Sequence, residues 1–305
     1  MIALRTSGLS KSYGSQTVLD ALNLEIVKGE VFALLGPNGS GKSTFFRILS
    51  TLLTPDAGSA EVGGFDVVRQ SSAVRGMLGV VFQSPSLDRK LTVRENLLYG
   101  GALYGLHGTD LSGRVSSALA ALRLEEKSDA VVETLSGGQQ RRTEIAKCLL
   151  TKPEILLLDE PSTGLDPAAR MDFWGAIAQL RIEFAMTVVF TTHLMDESAK
   201  ADRVGILNAG RLLTCAPPAE LLAAAGPDVV RVVTDQAETV AGFLRDDFRL
   251  NPHVADGEIR VSAPDGHAVA SCLQAVLSNA ITATTVARPT LEDVFLFQTG
   301  CRLNE

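Results

Sequence analysis

The chain has 305 residues, 46% of them hydrophobic, with 28 Lys and Arg against 35 Asp and Glu and a formal net charge of −7. That length accommodates more than one domain, and the acidic balance argues against a general nucleic-acid binder, which needs a basic face to neutralise phosphates. The four cysteines, Cys148, Cys215, Cys272 and Cys301, are far apart and show no C-x-x-C spacing, so neither a disulfide framework nor a zinc site is expected and a reducing cytoplasm fits.

The opening "MIALRTSGLSKSYG" lacks the basic segment and apolar run of a secretory leader. Apolar runs along the chain are short, and none approaches the ~20 residues that cross a bilayer. A role at a membrane therefore requires a partner that supplies the spanning helices. Residues 18–26 and 31–35 (VLDALNLEI, VFALL) read as strands, the second delivering its end to a glycine-rich loop. Further strands are expected at 79–82 (GVVF), 154–159 (EILLLD) and 187–192 (TVVFTT), nearly all apolar, as parallel strands buried on both faces are. Residues 85–150 read as a helical insertion between them. Alternating strands and helices predict an α/β domain with a mainly parallel sheet, whose ligands gather at the carboxyl ends of the strands.

The prolines of "CAPPAELLAAAGPD" (215–228) mark an exit from this domain, placing the division at 1–222 and 223–305. The remainder reads as a split βαββαβ unit with a strand near "FRLN", closed by a last helix in "TLEDVFLFQT". Leu291, Val294 and Phe295 fall on one face of that helix, which either docks on its own domain or helps a dimer associate.

"GPNGSGKST", Gly36 to Thr44, carries the strongest chemical signal. It fits G-x-x-x-x-G-K-[ST] between a predicted strand and a predicted helix, the pattern of a phosphate-binding loop. Gly36, Gly39 and Gly41 let the backbone turn tightly, so that the N–H groups of Asn38, Gly39, Ser40 and their neighbours, Pro37 having none to give, wrap an anion. Lys42 brings a positive charge to β/γ oxygens, and the Ser43 hydroxyl suits Mg²⁺. "ILLLDEP" ends an apolar strand in Asp159 and Glu160, whose side chains point different ways. Asp159 is the candidate for Mg²⁺ and Glu160 for the general base or water-orienting group. Gln83 and His193 follow apolar strands in the same manner and reach the same edge. Tyr13 is either the aromatic surface that stacks on a base or a core residue.

"TLSGGQQRR" (134–142) opens a predicted helix with Ser136, Gly137 and Gly138, and helix-end N–H groups suit an anion there too. Its basic pair is expected on a solvated helix face.

Taken together, these motifs resemble the nucleotide-binding subunits of ABC transporters over about residues 2–222: a P-loop NTPase of ABC ATPase type with a helical subdomain, followed by a small α+β domain. "LSGGQQRR" is similar to the family's signature, and Tyr13, Gln83, "STGLDP" with Asp166, and His193 match its remaining loops. The resemblance implies ATP and Mg²⁺ as cofactors, with Ser43, Gln83 and Asp159 on the metal and Glu160 and His193 catalytic. It also implies a head-to-tail dimer, with a second copy or a homologous ATPase subunit, in which Ser136, Gly137, Gly138 and Gln139 of one chain hold the γ-phosphate bound to Gly36–Thr44 of the other. An integral membrane permease and a place on the cytoplasmic face of the cell membrane complete the picture, with no nucleic-acid partner. "SPSLDRKLTVRENL" and "PTLEDVFLFQTG" resemble the drug-resistance exporters more narrowly, leaving an importer ATPase or a soluble non-transport ABC ATPase as alternatives.

Overall fold

The structure, a computed structural model, describes residues 1–255 and 257–300, so Cys301 lies outside the described residues. The chain divides into two units: Met1–Leu34, Gly39–Thr192 and Ala209–Leu212 form the first, and Leu35–Asn38, His193–Asn208 and the chain from Leu213 onward form the second.

In the first unit, β1 (Ile2–Tyr13) and β2 (Gln16–Val27) pair as an antiparallel hairpin closed at Tyr13 and Gln16. After β3 (Val31–Leu35) and α1 (Lys42–Leu49), β4 (Ala57–Val62) pairs antiparallel with β1, and the short β5 (Phe65–Asp66) gives the order β2-β1-β4-β5. The sequence pattern does not announce β4, because "AGSAEV" contributes only one large apolar side chain. It is held instead by close backbone approach: Gly58 has φ +75°, and a Cβ there would lie 2.3 Å from the Gly8 carbonyl oxygen, a contact that only glycine permits.

Next come α2 (Ser71–Met77), β6 (Leu78–Val81), the helices α3 (Val93–Leu103), α4 (Gly108–Ala121) and α5 (Gly137–Leu149), β7 (Ile155–Asp159), α6 (Pro167–Phe184) and β8 (Thr187–Thr192). Strands β6, β7 and β8 pair in parallel, and β3 lies beside β8. Every residue of β3, β7 and β8 is buried, which accounts for their unbroken apolar character. Three helices between β6 and β7 occupy the stretch read as a helical insertion.

The second unit continues through α7 (Met195–Ser198), β9 (Arg203–Asn208), β10 (Arg211–Ala216) and α8 (Pro218–Ala224). It ends in β11 (Asp228–Val233), α9 (Ala237–Asp246), β12 (His253–Ala255), β13 (Glu258–Ala263), α10 (Gly266–Leu277), β14 (Ala283–Ala287) and α11 (Leu291–Thr299). Sheet order β12-β13-β11-β14 with antiparallel pairing is the βαββαβ arrangement expected. The strand anticipated near "FRLN" begins only at His253, because Phe248 and Leu250 turn into the core, Phe248 against the Phe243 ring at 5.8 Å. Alternation divides β11 cleanly. Val230 and Val232 join Val240, Leu244, Val269 and Leu273 in the core, while Arg231, of opposite parity, reaches α11 through Asp293 at 3.0 Å. Leu291, Val294 and Phe295 are buried within this unit, and α11 packs against α8, so the apolar face is spent on its own domain rather than on a dimer.

Asp293 anchors that docking. It is fully buried, receives hydrogen bonds from Thr290 N–H and Oγ1, and ion-pairs with both Arg231 and Arg260. Burial pushes its carboxyl up, but the hydrogen bonds from Thr290 and the Arg231 charge outweigh this and hold it below the usual carboxylate range. A depressed folded pKa stabilises above the unfolded value and is lost as pH falls through the folded one. Thermal unfolding followed against pH should therefore show the wild type losing stability below about pH 4. Asp293→Asn should start lower at neutral pH and show a flatter acid limb; parallel limbs would contradict the assignment.

Candidate functional site

The loop Gly36–Gly41 leads from β3 into α1. Gly41 caps α1 with φ 107° and contributes no side-chain acceptor, so the N–H groups of Lys42, Ser43 and Thr44 keep the open character of a helix start. A Cβ at Gly41 would lie 2.5 Å from the Val18 carbonyl oxygen, and Gly39 has φ +80°. These two glycines are required by conformation; Gly36 shows no positive φ. Ser40 is buried, and its Oγ has no hydrogen-bond partner among the described residues.

Seven polar side chains converge at the ends of β7 and β8 within the first unit. Lys42 Nζ lies 3.6 Å from Glu160 Oε1, both groups buried. Ser43 Oγ donates to Asp159 Oδ1 at 3.4 Å, and Thr191 Oγ1 donates to the same oxygen at 2.6 Å. Thr191 Oγ1 in turn accepts from Glu160 N–H at 2.9 Å, while Gln83 Nε2 and Thr163 Oγ1 each donate to Glu160 Oε2 at 3.4 Å. Burial pulls Lys42 below the usual lysine range, and the carboxylates of Glu160 and Asp159 partly oppose this. Glu160 has φ +46°, a conformation that costs a non-glycine residue roughly 1–3 kcal/mol and concentrates at functional sites.

Two hard oxygen groups, the Ser43 hydroxyl and the Asp159 carboxylate, meet at the start of α1. That donor set fits a small divalent cation, which takes few protein ligands and completes its shell from phosphate and water.

Tyr13 ends β1 with 47% of its surface exposed, which removes the core reading and leaves a free aromatic face. His193 follows Thr192 directly after β8 and is partly buried. Asp166 caps α6 by accepting from Ala169 N–H at 2.9 Å.

The stretch 134–142 is built differently from the Gly36–Thr44 loop. Ser136 and Gln139 close a reciprocal capping box: Ser136 Oγ accepts from Gln139 N–H at 3.3 Å, and Gln139 Oε1 accepts from Ser136 N–H at 3.0 Å. Two helix-start donors are thereby satisfied internally, while Ser136 and Gly137 remain exposed. A Cβ on Gly137 would come within 3.2 Å of Leu165 Cδ2, and one on Gly138 within 3.1 Å of Ala169 Cβ. The glycine pair therefore lets the start of α5 sit against the start of α6.

Arg141 departs from expectation. It is buried rather than solvated, because its guanidinium donates to the carbonyls of Phe82 and Gln83, both at 2.8 Å, and to Glu144 at 2.6 Å. Glu144 in turn accepts from Ser86 N–H at 2.6 Å. Helix α5 thus grips both ends of the segment that presents Gln83. Arg141→Lys keeps the charge but loses the two-pronged fork; urea unfolding should show a loss of about 1.5–3 kcal/mol, and a loss too small to resolve would mean the fork is dispensable.

Thr191, Thr163 and Arg141 are the site residues that sequence reasoning missed. Two threonines after an apolar run and an arginine in a basic pair carry no spacing signal of their own.

Comparisons with known proteins place the chain in one family. The family described as ABC transporter matches residues 19–163. Among curated relatives, "Daunorubicin resistance ATP-binding protein DrrA3" of Streptomyces coeruleorubidus is 38% identical, covering 98% of this chain and 96% of its own. "Nod factor export ATP-binding protein I" of Paraburkholderia xenovorans is 37% identical over 99% of both chains, and "Linearmycin resistance ATP-binding protein LnrL" of Bacillus subtilis 33% over 99% of this chain and 100% of its own. Among solved structures, an ATP-binding cassette of an ABC transporter in its ADP conformation superposes with TM-score 0.66 at 26% identity, covering 72% of this chain and 92% of that one. A dimeric cassette in a post-hydrolysis state bound to ADP and Pi gives TM-score 0.63 at 28% identity, covering 70% and 98%.

Proposed function

Because the chain belongs to the ABC transporter family, as an ATP-binding and ATP-hydrolysing subunit, we propose that it powers export through a separate integral membrane partner, working at the cytoplasmic face of the cell membrane. The observation that carries the catalytic part is the convergence of Ser43 and Gln83 on the buried Lys42, Asp159, Glu160 and Thr191 at one sheet edge. In this reading the exposed Tyr13 ring stacks on adenine, the Gly36–Thr44 backbone wraps the phosphates and Lys42 neutralises the β/γ oxygens. Ser43, Asp159 and Gln83 would hold Mg²⁺, which supplies charge neutralisation of the transferring phosphoryl group when bound. Thr191 fixes which Asp159 oxygen is free and, by accepting from Glu160 N–H, sets the direction of the Glu160 side chain. Glu160 takes the proton of the water that attacks the γ-phosphorus as the bond to the ADP oxygen breaks, and His193 donates a hydrogen bond to a γ-phosphate oxygen. Ser136, Gly137, Gly138 and Gln139 of a second subunit close the site.

Export is supported by the names of relatives matched over nearly their whole length, which speak of drug resistance and Nod factor export. A membrane-embedded partner is supported by two observations: among the described residues no helix is long and apolar enough to cross a membrane, and α3 ends in an exposed apolar patch of Tyr99, Leu103 and Tyr104, 62, 86 and 65% exposed. Such a patch fits a protein-docking surface. Affinity purification from membranes of the native host should bring down an integral membrane protein, and Leu103→Glu should release it while soluble ATP hydrolysis persists. Recovery of ribosomes or DNA in place of a membrane protein would overturn the reading.

A further inference from the structure

A cavity of about 820 Å³ lies at the opposite pole of β7 and β8, bounded by α4, the end of α5, the end of α6 and the first residues of both strands. Its volume is in the range of sites that hold drug-sized molecules, ~300–1,000 Å³. Strand β7 runs from Ile155 in the cavity wall to Asp159 at the nucleotide edge, and four steps along a strand separate the two by roughly 13 Å. The cavity is therefore distinct from the site that holds the catalytic carboxylates.

Its floor is apolar, made by Ala118, Leu149, Pro153, Ile155 and Met186. Phe184 stands at the wall with 49% of its surface exposed, extending apolar surface toward solvent. The rim carries three cations against two carboxylates. Lys28 is paired with Glu154 at 2.9 Å and Arg114 with Asp110 at 3.1 Å, Arg114 also donating to the Leu150 carbonyl at 2.8 Å. Lys152 is exposed and has no acidic partner among the described residues. Its position is fixed by the left-handed turn after α5, where it has φ +53° and its N–H donates to the Leu149 carbonyl at 3.0 Å. An apolar chamber with one surplus lysine at its mouth, whose backbone is fixed and whose ammonium can swing to a ligand, is complementary to a molecule with an apolar body and a single negative charge.

We propose that this cavity binds an anionic amphiphile, a small molecule whose apolar part fills the space between α4 and the start of β7 and β8 and whose carboxylate or sulfonate pairs with Lys152. Such a ligand bridges α4 to the strands that carry Asp159 and Thr191 at their far ends. The cation at the rim excludes positively charged amphiphiles of the same shape.

The test uses the full-length protein with ADP held saturating, so that the nucleotide site is not available to the probe. Anilinonaphthalene sulfonate fluorescence should rise to saturation with one probe per chain, dodecanoate should displace it and dodecylamine should not. Lys152→Glu should weaken the probe about tenfold or more, as expected for loss of a charge-assisted contact, and Ala121→Trp, which places a large ring at the α4 wall, should abolish binding. Both variants lie outside the catalytic machinery and should hydrolyse ATP at the wild-type rate, which also reports that they are folded. If Ala121→Trp does not fold, Lys152→Glu and the competitor pair decide the matter. Binding that does not saturate, that persists in a folded Lys152→Glu protein, or that dodecylamine reverses as well as dodecanoate would overturn the proposal.

Discussion

Glu160→Gln is expected to lower ATP turnover by about 10²–10⁴-fold, the range assigned to loss of a general base, while ATP binding is retained. The geometry explains why the two effects separate. In the proposed function Lys42, Ser43 and the Gly36–Gly41 loop hold the phosphates independently of Glu160, and Asp159 keeps its hydrogen bonds from Ser43 and Thr191. Glutamine preserves the size of the side chain, and its backbone N–H can still donate to Thr191 Oγ1 at 2.9 Å. What is lost is the acceptor for the proton of the attacking water and one negative charge 3.6 Å from Lys42 Nζ. Because the bound nucleotide persists, the ATP-bound dimer should accumulate, which light scattering at increasing ATP reads directly. Near-normal hydrolysis, or monomers at saturating ATP, would contradict this assignment.

The second large effect concerns sharing of the site between chains. Lys42→Ala should weaken phosphate binding in the chain that carries it, since it removes a buried cation that the proposed function sets against the β/γ oxygens. Ser136→Asp should act on the opposite chain. Aspartate remains a good helix N-cap and can still accept from Gln139 N–H, so α5 keeps its start, but in the proposed dimer its charge should repel the γ-phosphate of the neighbour. Either change alone damages both sites of a symmetric dimer. Closure of the dimer follows ATP only if the closed state binds it more tightly than the open one, and each of these substitutions removes part of that difference.

How much of this was legible in the sequence varies by element. The Gly36–Thr44 loop and the Asp159-Glu160 pair are readable because their chemistry is packed into contiguous residues flanked by unambiguous apolar strands. The βαββαβ order of the C-terminal sheet follows from alternation and turn residues, although β12 starts later than expected where Phe248 and Leu250 are taken into the core. Strand β4 was hidden because its pairing with β1 rests on glycine and small residues rather than on an apolar pattern. Thr191 and Arg141 were hidden for another reason. Both act through contacts between segments more than thirty residues apart, Thr191 on Asp159 and Arg141 on the carbonyls of Phe82 and Gln83, and local spacing carries no trace of them. Arginine in particular reads as solvated until a buried acceptor set such as two carbonyls and Glu144 is found for it. The stretch 134–142 reads as an anion site from its sequence alone, but the capping box satisfies two of its helix-start donors internally, while Ser136 and Gly137 stay exposed.

The central claim, that Gly36–Thr44 of one chain and Ser136–Gln139 of another form one ATP site, is tested most directly by mixing subunits. In a Glu160→Gln background, Lys42→Ala chains and Ser136→Asp chains are prepared separately, combined, and assayed for ATP retained after rapid gel filtration. Each parent alone should retain none, whereas the mixture should retain one ATP in each mixed dimer, because one composite site then carries both defects and the other carries neither. Retention by the Ser136→Asp parent alone, or no gain on mixing, would contradict the shared site.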